Sequence, residues 1–223
     1  MIARELLGSA WIPGGGELCL YRHDRDFMIV LGGNELMSSR MSGSEIALAT
    51  MTCDRIKGRK RPRLLIGGYG MGFTLRAALA ELGKDAELVL AELVPEVIEW
   101  AQGPMQELEA GCLRDPRVQL VYGDVYERIA NPASGYDAIL LDVDNGPDGL
   151  VRKDNNRIYN GRGLRAAKAA LRPGGVLAIW SAARDDSFKR HLAGSGFAVD
   201  QVIVPARSNG KGPKHVIWFA VAE

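Results

Sequence analysis

Hydrophobic and polar positions divide this chain into three stretches of different character. Between residues 17 and 39, short apolar blocks (Leu18-Cys19-Leu20-Tyr21, then Phe27 to Leu31) flank the polar turn His23-Asp24-Arg25-Asp26, the signature of a β-hairpin or short meander. From Ser44 to Ile56 the apolar residues Ile46, Leu48, Ala49, Met51 and Cys53 suit a helix, with Ser44 as its cap. From Arg63 onward, strand-length apolar runs at 63–67, 87–92, 117–122, 136–142 and 175–180 alternate with helical patterns at 73–83, 95–110, 161–171 and 185–195. That alternation predicts a parallel sheet covered on both faces. Pro95 suits the first turn of its helix, and Arg172-Pro173-Gly174-Gly175 predicts a sharp helix-to-strand turn.

The C-terminal end separates the nucleotide folds from one another. Apolar runs from Val199 to Pro205 and from His215 to Val221 are joined by a Gly- and Ser-containing loop with no helix between them, so the last strand must run antiparallel to its neighbour. A dinucleotide-binding domain continues instead with a helix and a parallel strand. The closing hairpin is the ending of the class I S-adenosylmethionine-dependent folds. The expected architecture is therefore α/β: a doubly wound, mostly parallel Rossmann-like sheet with an antiparallel C-terminal hairpin, plus a small N-terminal β module. The expected division is residues 1–60 for that module and its linking helix, and 61–223 for the nucleoside-binding domain.

Composition adds only exclusions. A hydrophobic share of 47% and a charged share of 25% are those of an ordinary globular chain. A net charge of +1 supplies no global field toward nucleic acid or membrane. Cys19, Cys53 and Cys112 are widely spaced and form no Cys-x-x-Cys pair, which argues against a disulfide framework and a zinc site. No apolar stretch approaches the ~18 residues of a membrane span, and no signal peptide is evident, so a cytoplasmic location is expected. The basic run from Arg55 to Arg63 precedes the first sheet strand, opposite the ligand edge, and reads as a solvated linker.

The candidate chemistry lies along the carboxyl edge of the sheet. Leu64-Leu65-Ile66 runs into Gly67-Gly68-Tyr69-Gly70-Met71-Gly72 and then a helix, a loop whose glycines permit tight turns and close approach to a ligand. The next strand ends in Glu92, placed with Leu93 to hold both hydroxyls of a ribose. Asp124, after Val121-Tyr122-Gly123, is the candidate acceptor for an adenine amine, with the Val125 N–H reaching a ring nitrogen; it also suits the cap of a short helix. Asp142 ends the fourth strand, where a carboxylate can take a proton from an attacking group, and Asp144 shares its side of the extended chain. The polar loop 145–159 has the length of a lid. The three histidines, His23, His191 and His215, sit in no catalytic motif.

These residues resemble the spermidine synthase (polyamine aminopropyltransferase) family, in particular its short bacterial spermidine synthase-like members. The resemblance rests on the N-terminal strand module, the glycine loop, Glu92, Gly123-Asp124, the Tyr136-Asp137 strand ending in Asp142, and the closing hairpin. It implies an S-adenosylmethionine or decarboxylated S-adenosylmethionine donor, a small-molecule acceptor and a homodimer; no metal is expected, because the strand after Asp142-Val143-Asp144 leads into Trp180-Ser181-Ala182-Ala183 and not into the Asp-Asn pair of metal-dependent O-methyltransferases. It assigns the ribose acid to Glu92, the adenine acid to Asp124 and the first catalytic aspartate to Asp142. Three amine-holding positions depart from the family. Gly70 stands where the loop aspartate grips the aminopropyl ammonium, Asn145 stands for the second polyamine aspartate, and Gly43-Ser44-Glu45 replaces a Tyr-Gln-Glu triplet. Asn145, Glu45 and Tyr159 are the expected acceptor-side residues.

Glycine at position 70 removes a repulsion toward the carboxylate of intact S-adenosylmethionine and leaves loop N–H groups to receive it. On that argument the expected reaction is methyl transfer to an unidentified acceptor. Aminopropyl transfer from the decarboxylated donor is the alternative; a 3-amino-3-carboxypropyl transfer and a non-catalytic nucleoside-binding protein are the further ones.

Overall fold

The computed structural model describes residues 4–143 and 156–222. Asp144, Asn145 and most of the expected lid lie outside them. Four strands, β1 (Glu5–Trp11), β2 (Glu17–His23), β3 (Asp26–Leu31) and β4 (Asn34–Ser38), form an antiparallel N-terminal sheet in the order β1-β2-β3-β4. The meander is thus one strand longer than its expected 17–39 core. β1 carries no alternating apolar pattern: Leu6 and Trp11 are exposed, and Ala10 is its buried side chain.

Helix α1 (Gly43–Arg55) follows and packs on α2 (Phe73–Glu81) and on the large sheet. Its first turn fits there because Gly43 lies against the backbone of Arg207 and Ser208, where an added Cβ would fall within 2.5 Å. The Gly43 N–H donates to the Ala206 carbonyl at 2.8 Å. Ser44 is not the cap: it lies inside the first turn, and its hydroxyl is directed to other side chains.

The remaining elements are β5 (Arg63–Gly67), β6 (Glu87–Glu92), α3 (Pro95–Gln102), α4 (Gln106–Glu109), β7 (Val118–Tyr122), α5 (Val125–Ala130), β8 (Tyr136–Leu141), α6 (Asn156–Tyr159), α7 (Gly161–Ala170), β9 (Leu171–Ser181), α8 (Asp186–Gly194), β10 (Phe197–Pro205) and β11 (Lys214–Ala222). Seven strands make one sheet in the order β10-β11-β9-β8-β5-β6-β7. β11 is antiparallel to both β9 and β10, as the closing hairpin requires, and the pairs β5–β6, β5–β8, β6–β7 and β8–β9 are parallel. The winding of the chain reverses between β5 and β8, so the crevice at their carboxyl ends is the expected ligand position. The helix expected over 95–110 breaks at Gly103-Pro104, where proline cannot continue the hydrogen-bond ladder.

The basic run is solvated in part, with Lys57, Lys60 and Arg61 exposed, but Arg59 and Arg63 turn inward to a buried carboxylate. Arg59 Nη1 donates to Asp137 Oδ1 at 2.8 Å, the Arg63 N–H to Asp137 Oδ2 at 2.8 Å, and Arg172 Nη1 to Asp137 Oδ2 at 2.6 Å. Asp137 is 1% exposed in the middle of the sheet, and a buried carboxylate needs such partners. Among the described residues no helix is long and apolar enough to cross a membrane.

Candidate active site

Glu92 is the centre of the crevice. It closes β6, is 6% exposed, and accepts from the Tyr69 N–H at 2.7 Å and the Val94 N–H at 2.9 Å, one to each carboxylate oxygen. Burial raises its pKa, and the N–H groups of Tyr69, Val94, Leu93 and Gly70 offset part of that rise. The carboxylate also lines the cleft, where its oxygens can accept from the vicinal hydroxyls of a ribose. The carboxylate therefore organises the glycine loop and also faces the cleft.

The loop geometry explains its glycines. Gly68 and Gly70 have φ of +84° and +56°, and both line the cleft with Glu92, Leu93, Asp124 and Val125. Gly67 and Gly72 shape the loop without lining it: a Cβ on Gly67 would meet Val125 at 2.9 Å, and one on Gly72 the Tyr69 hydroxyl at 2.6 Å. The Tyr69 ring is buried, its hydroxyl 3.8 Å from Cys112 Sγ, so its contribution here is its backbone. The N-terminal sheet contributes the cleft's apolar wall through Leu18, Ile29, Leu36 and Met37. Asp124 caps α5 through the Tyr126 N–H at 2.9 Å, and its other oxygen accepts from Arg157 Nη2 at 2.8 Å. The two roles expected of Asp124 are thus compatible in position, with Arg157 as an added partner.

Asp142 stands where this cleft meets a second one of about 230 Å³, whose wall includes Glu35, Met37, Glu45, Trp180 and His215. Burial and then the neighbouring Glu45 carboxylate push the Asp142 pKa well up. Glu45 is raised too, by burial, against the lowering effect of its Ser44 hydrogen bond. Two carboxylates that disfavour each other's ionisation hold a proton readily, or welcome a cation between them. Asp142 and Glu45 also border the loop at Gly70 and Thr74. Tyr159 is elsewhere: it is 4% exposed in the core, edge-on to Phe188 with ring centroids 5.7 Å apart.

His215, Ser44, Trp180 and Met37 were not singled out from the sequence as site residues. His215, the second residue of β11, lies against the first turn of α1, a non-local pairing that leaves no mark in either local pattern. Among the described residues no group of His, Cys, Asp and Glu is arranged to hold a metal ion.

Fold and crevice define a class I S-adenosylmethionine-type α/β protein with an acidic second cleft. No family model matches the chain. It is similar to polyamine aminopropyltransferases: that of Mycobacterium tuberculosis is 34% identical over 122 residues, 53% of this chain and 22% of the relative. Those of Nitrosomonas europaea and Aeropyrum pernix are 34% and 30% identical over 55% and 54% of this chain, and 35% and 37% of their own lengths. The matched segments thus span between about a fifth and two-fifths of these curated relatives. Spermidine synthase from Thermotoga maritima superposes with a TM-score of 0.75 over 98% of this chain and 73% of that one, at 17% identity. A spermidine synthase complexed with the transition-state analogue AdoDATO gives 0.74 at 17% identity, again over 98% of this chain and 72% of that one. These two share the fold.

The expectation of methyl transfer is corrected by these relatives, which are aminopropyltransferases. The physical reason lies in the loop. One of the loop N–H groups expected to be available to a donor carboxylate, that of Tyr69, already donates to Glu92 at 2.7 Å. Losing the loop aspartate also does not discharge the pocket, because Glu45 and Asp142 border the same space.

Proposed function

We propose that this protein is an aminopropyltransferase that uses decarboxylated S-adenosylmethionine and a small amine acceptor. The observation carrying this reading is the Glu45–Asp142 carboxylate pair at the junction of the two clefts. A cationic aminopropyl tail and a cationic amine acceptor are both attracted there, whereas the carboxylate of the intact donor is repelled. The similarity to polyamine aminopropyltransferases supports the same chemistry.

In this reading Glu92 holds the ribose, Asp124 and Val125 hold the adenine, and the apolar wall from the N-terminal sheet covers it. The acceptor enters through the second cleft. Its neutral nitrogen attacks the carbon next to the sulfonium, the carbon–sulfur bond breaks, and methylthioadenosine leaves as a neutral thioether. The amine proton goes to Asp142, whose pKa, raised by burial and by the neighbouring Glu45, makes it a better proton acceptor than an ordinary carboxylate. Alignment of nucleophile and sulfonium supplies much of the acceleration.

The test is to incubate the protein with decarboxylated S-adenosylmethionine and a panel of di- and triamines, then follow methylthioadenosine and the aminopropylated product by mass spectrometry. Amine-dependent formation of both is expected. Methylthioadenosine formation that ignores the amine, or none at all across the panel, refutes the proposal.

A further inference from the structure

The second cleft contains a hydrogen-bonded chain that no sequence motif announces. Ser44 Oγ donates to Glu45 Oε2 at 2.7 Å and stands 2.9 Å from Nδ1 of His215. Ser44 is fully buried, and His215 is half-buried at the start of β11, its ring edge-on to Trp180 at a centroid distance of 4.7 Å. Glu45, Asp142 and His215 line the same cleft. One end of the chain therefore meets the carboxylate pair, and the other reaches a titratable ring.

We propose that Ser44 and His215 are positioning residues forming a proton exit from the Glu45–Asp142 pair; this rests on the aminopropyltransferase reading. The serine hydroxyl has one proton, so the chain has two arrangements. With Glu45 ionised, Ser44 donates to it and His215 donates its Nδ1–H to Ser44 Oγ. With Glu45 protonated, Glu45 donates to Ser44 and Ser44 donates to an unprotonated Nδ1. The acceptor amine's proton passes from Asp142 to Glu45. It then moves from Glu45 Oε2 to Ser44 Oγ as the serine's own proton moves to His215 Nδ1. The imidazolium releases its Nε2 proton to water, leaving Glu45 ionised and the ring neutral, so charge and protons balance.

The ring's surroundings suit a transient carrier. Burial lowers the His215 pKa, so the ring returns a proton rather than storing it. Among the described residues the titratable groups sharing its cleft are Glu45 on α1, Asp142 after β8 and Glu35 on β4. On the flanking strands β9 and β10 its neighbours are Trp180 and Val204, which do not titrate, and Lys214 beside it on β11 is exposed.

Two measurements test this, the first independent of turnover. Nitrogen NMR of the histidine rings across a pH series, assigned with His215→Ala, should show neutral His215 protonated at Nδ1 at the alkaline end, where Glu45 is ionised, and Ser44→Ala should shift it toward the Nε2–H form. An Nε2–H ring in wild type at the alkaline end, or no response to Ser44→Ala, overturns the proposal. In the transfer assay, His215→Ala should lower kcat by about 10²-fold with the donor KM unchanged, and added imidazole should restore part of it. His215→Asn keeps a side chain able to bond to Ser44 but does not titrate, so it should be equally impaired; full activity in it makes the contact purely structural and overturns the proposal. A wild-type protein with the coupled tautomer but no amine-dependent methylthioadenosine removes the functional reading itself, so the two failures are distinct.

Discussion

Replacing Glu92 tests whether one carboxylate both builds the loop and holds the ribose. In Glu92→Ala the N–H groups of Tyr69 and Val94 lose acceptors at 2.7 and 2.9 Å in a buried setting. An unsatisfied buried donor costs about 1–3 kcal/mol, so the pair costs about 2–6 kcal/mol before water enters the space. Removing the buried charge returns part of this, since burial already raises the Glu92 pKa. A net loss of about 3 kcal/mol lowers Tm by about 6–12 °C in a chain of this size. Glu92→Gln is the sharper variant, because its NH₂ must face one of two N–H donors; it should destabilise despite its matching shape. Affinity for methylthioadenosine should fall at least tenfold in both, from the loss of two charge-assisted bonds worth about 1.5–3 kcal/mol each before compensation. Scanning calorimetry and isothermal titration read the two effects separately. Wild-type affinity in Glu92→Ala would refute the ribose assignment, and an unchanged Tm in Glu92→Gln would refute the loop-organising role.

Asp142→Asn should lower kcat by about 10²–10⁴-fold while donor affinity changes little. The same variant should be more stable than wild type, increasingly so as pH rises. With its pKa raised, folded Asp142 holds more protons than the unfolded chain above an ordinary carboxyl pKa near 4, so wild-type stability falls as pH climbs through that window; urea melts at pH 5 and 7 check the sign. Gly70→Asp should cost about 1–3 kcal/mol, because φ is +56° and the new Cβ would sit 2.8 Å from Met37 Cε; adding Met37→Ala should recover the steric part in thermal melts. Asp137→Ala should cost about 3 kcal/mol in a urea melt, at the low end for a broken buried pair because Arg59 and Arg172 can turn to water.

The sheet was readable because each of its parallel strands is a short apolar run bounded by turn residues, and the closing hairpin because no helix fits between its two runs. Glu92, Asp124 and Asp142 were readable for the same reason: each is a carboxylate at the end of an apolar strand, which places it at the ligand edge. What stayed hidden depends on contacts distant in sequence. β1 is held by its pairing with β2, and its own pattern is not strand-like. Arg59 and Arg63 resemble a solvated run until β8 brings Asp137 between them. Gly70 pointed to methyl transfer because it is one position of the loop considered alone. The charge of the pocket is set as well by Glu45, carried in from α1, and the Tyr69 amide is committed to a residue more than twenty positions downstream.

The central claim is that the acidic junction selects a donor whose tail is a bare ammonium. Isothermal titration of the wild-type protein with decarboxylated and intact S-adenosylmethionine, side by side at one pH and ionic strength, tests it most directly. The decarboxylated form should bind at least tenfold more tightly, a difference of about 1.4 kcal/mol or more. The gap should narrow in Glu45→Gln. Equal affinities, or tighter binding of the intact donor, would contradict the account.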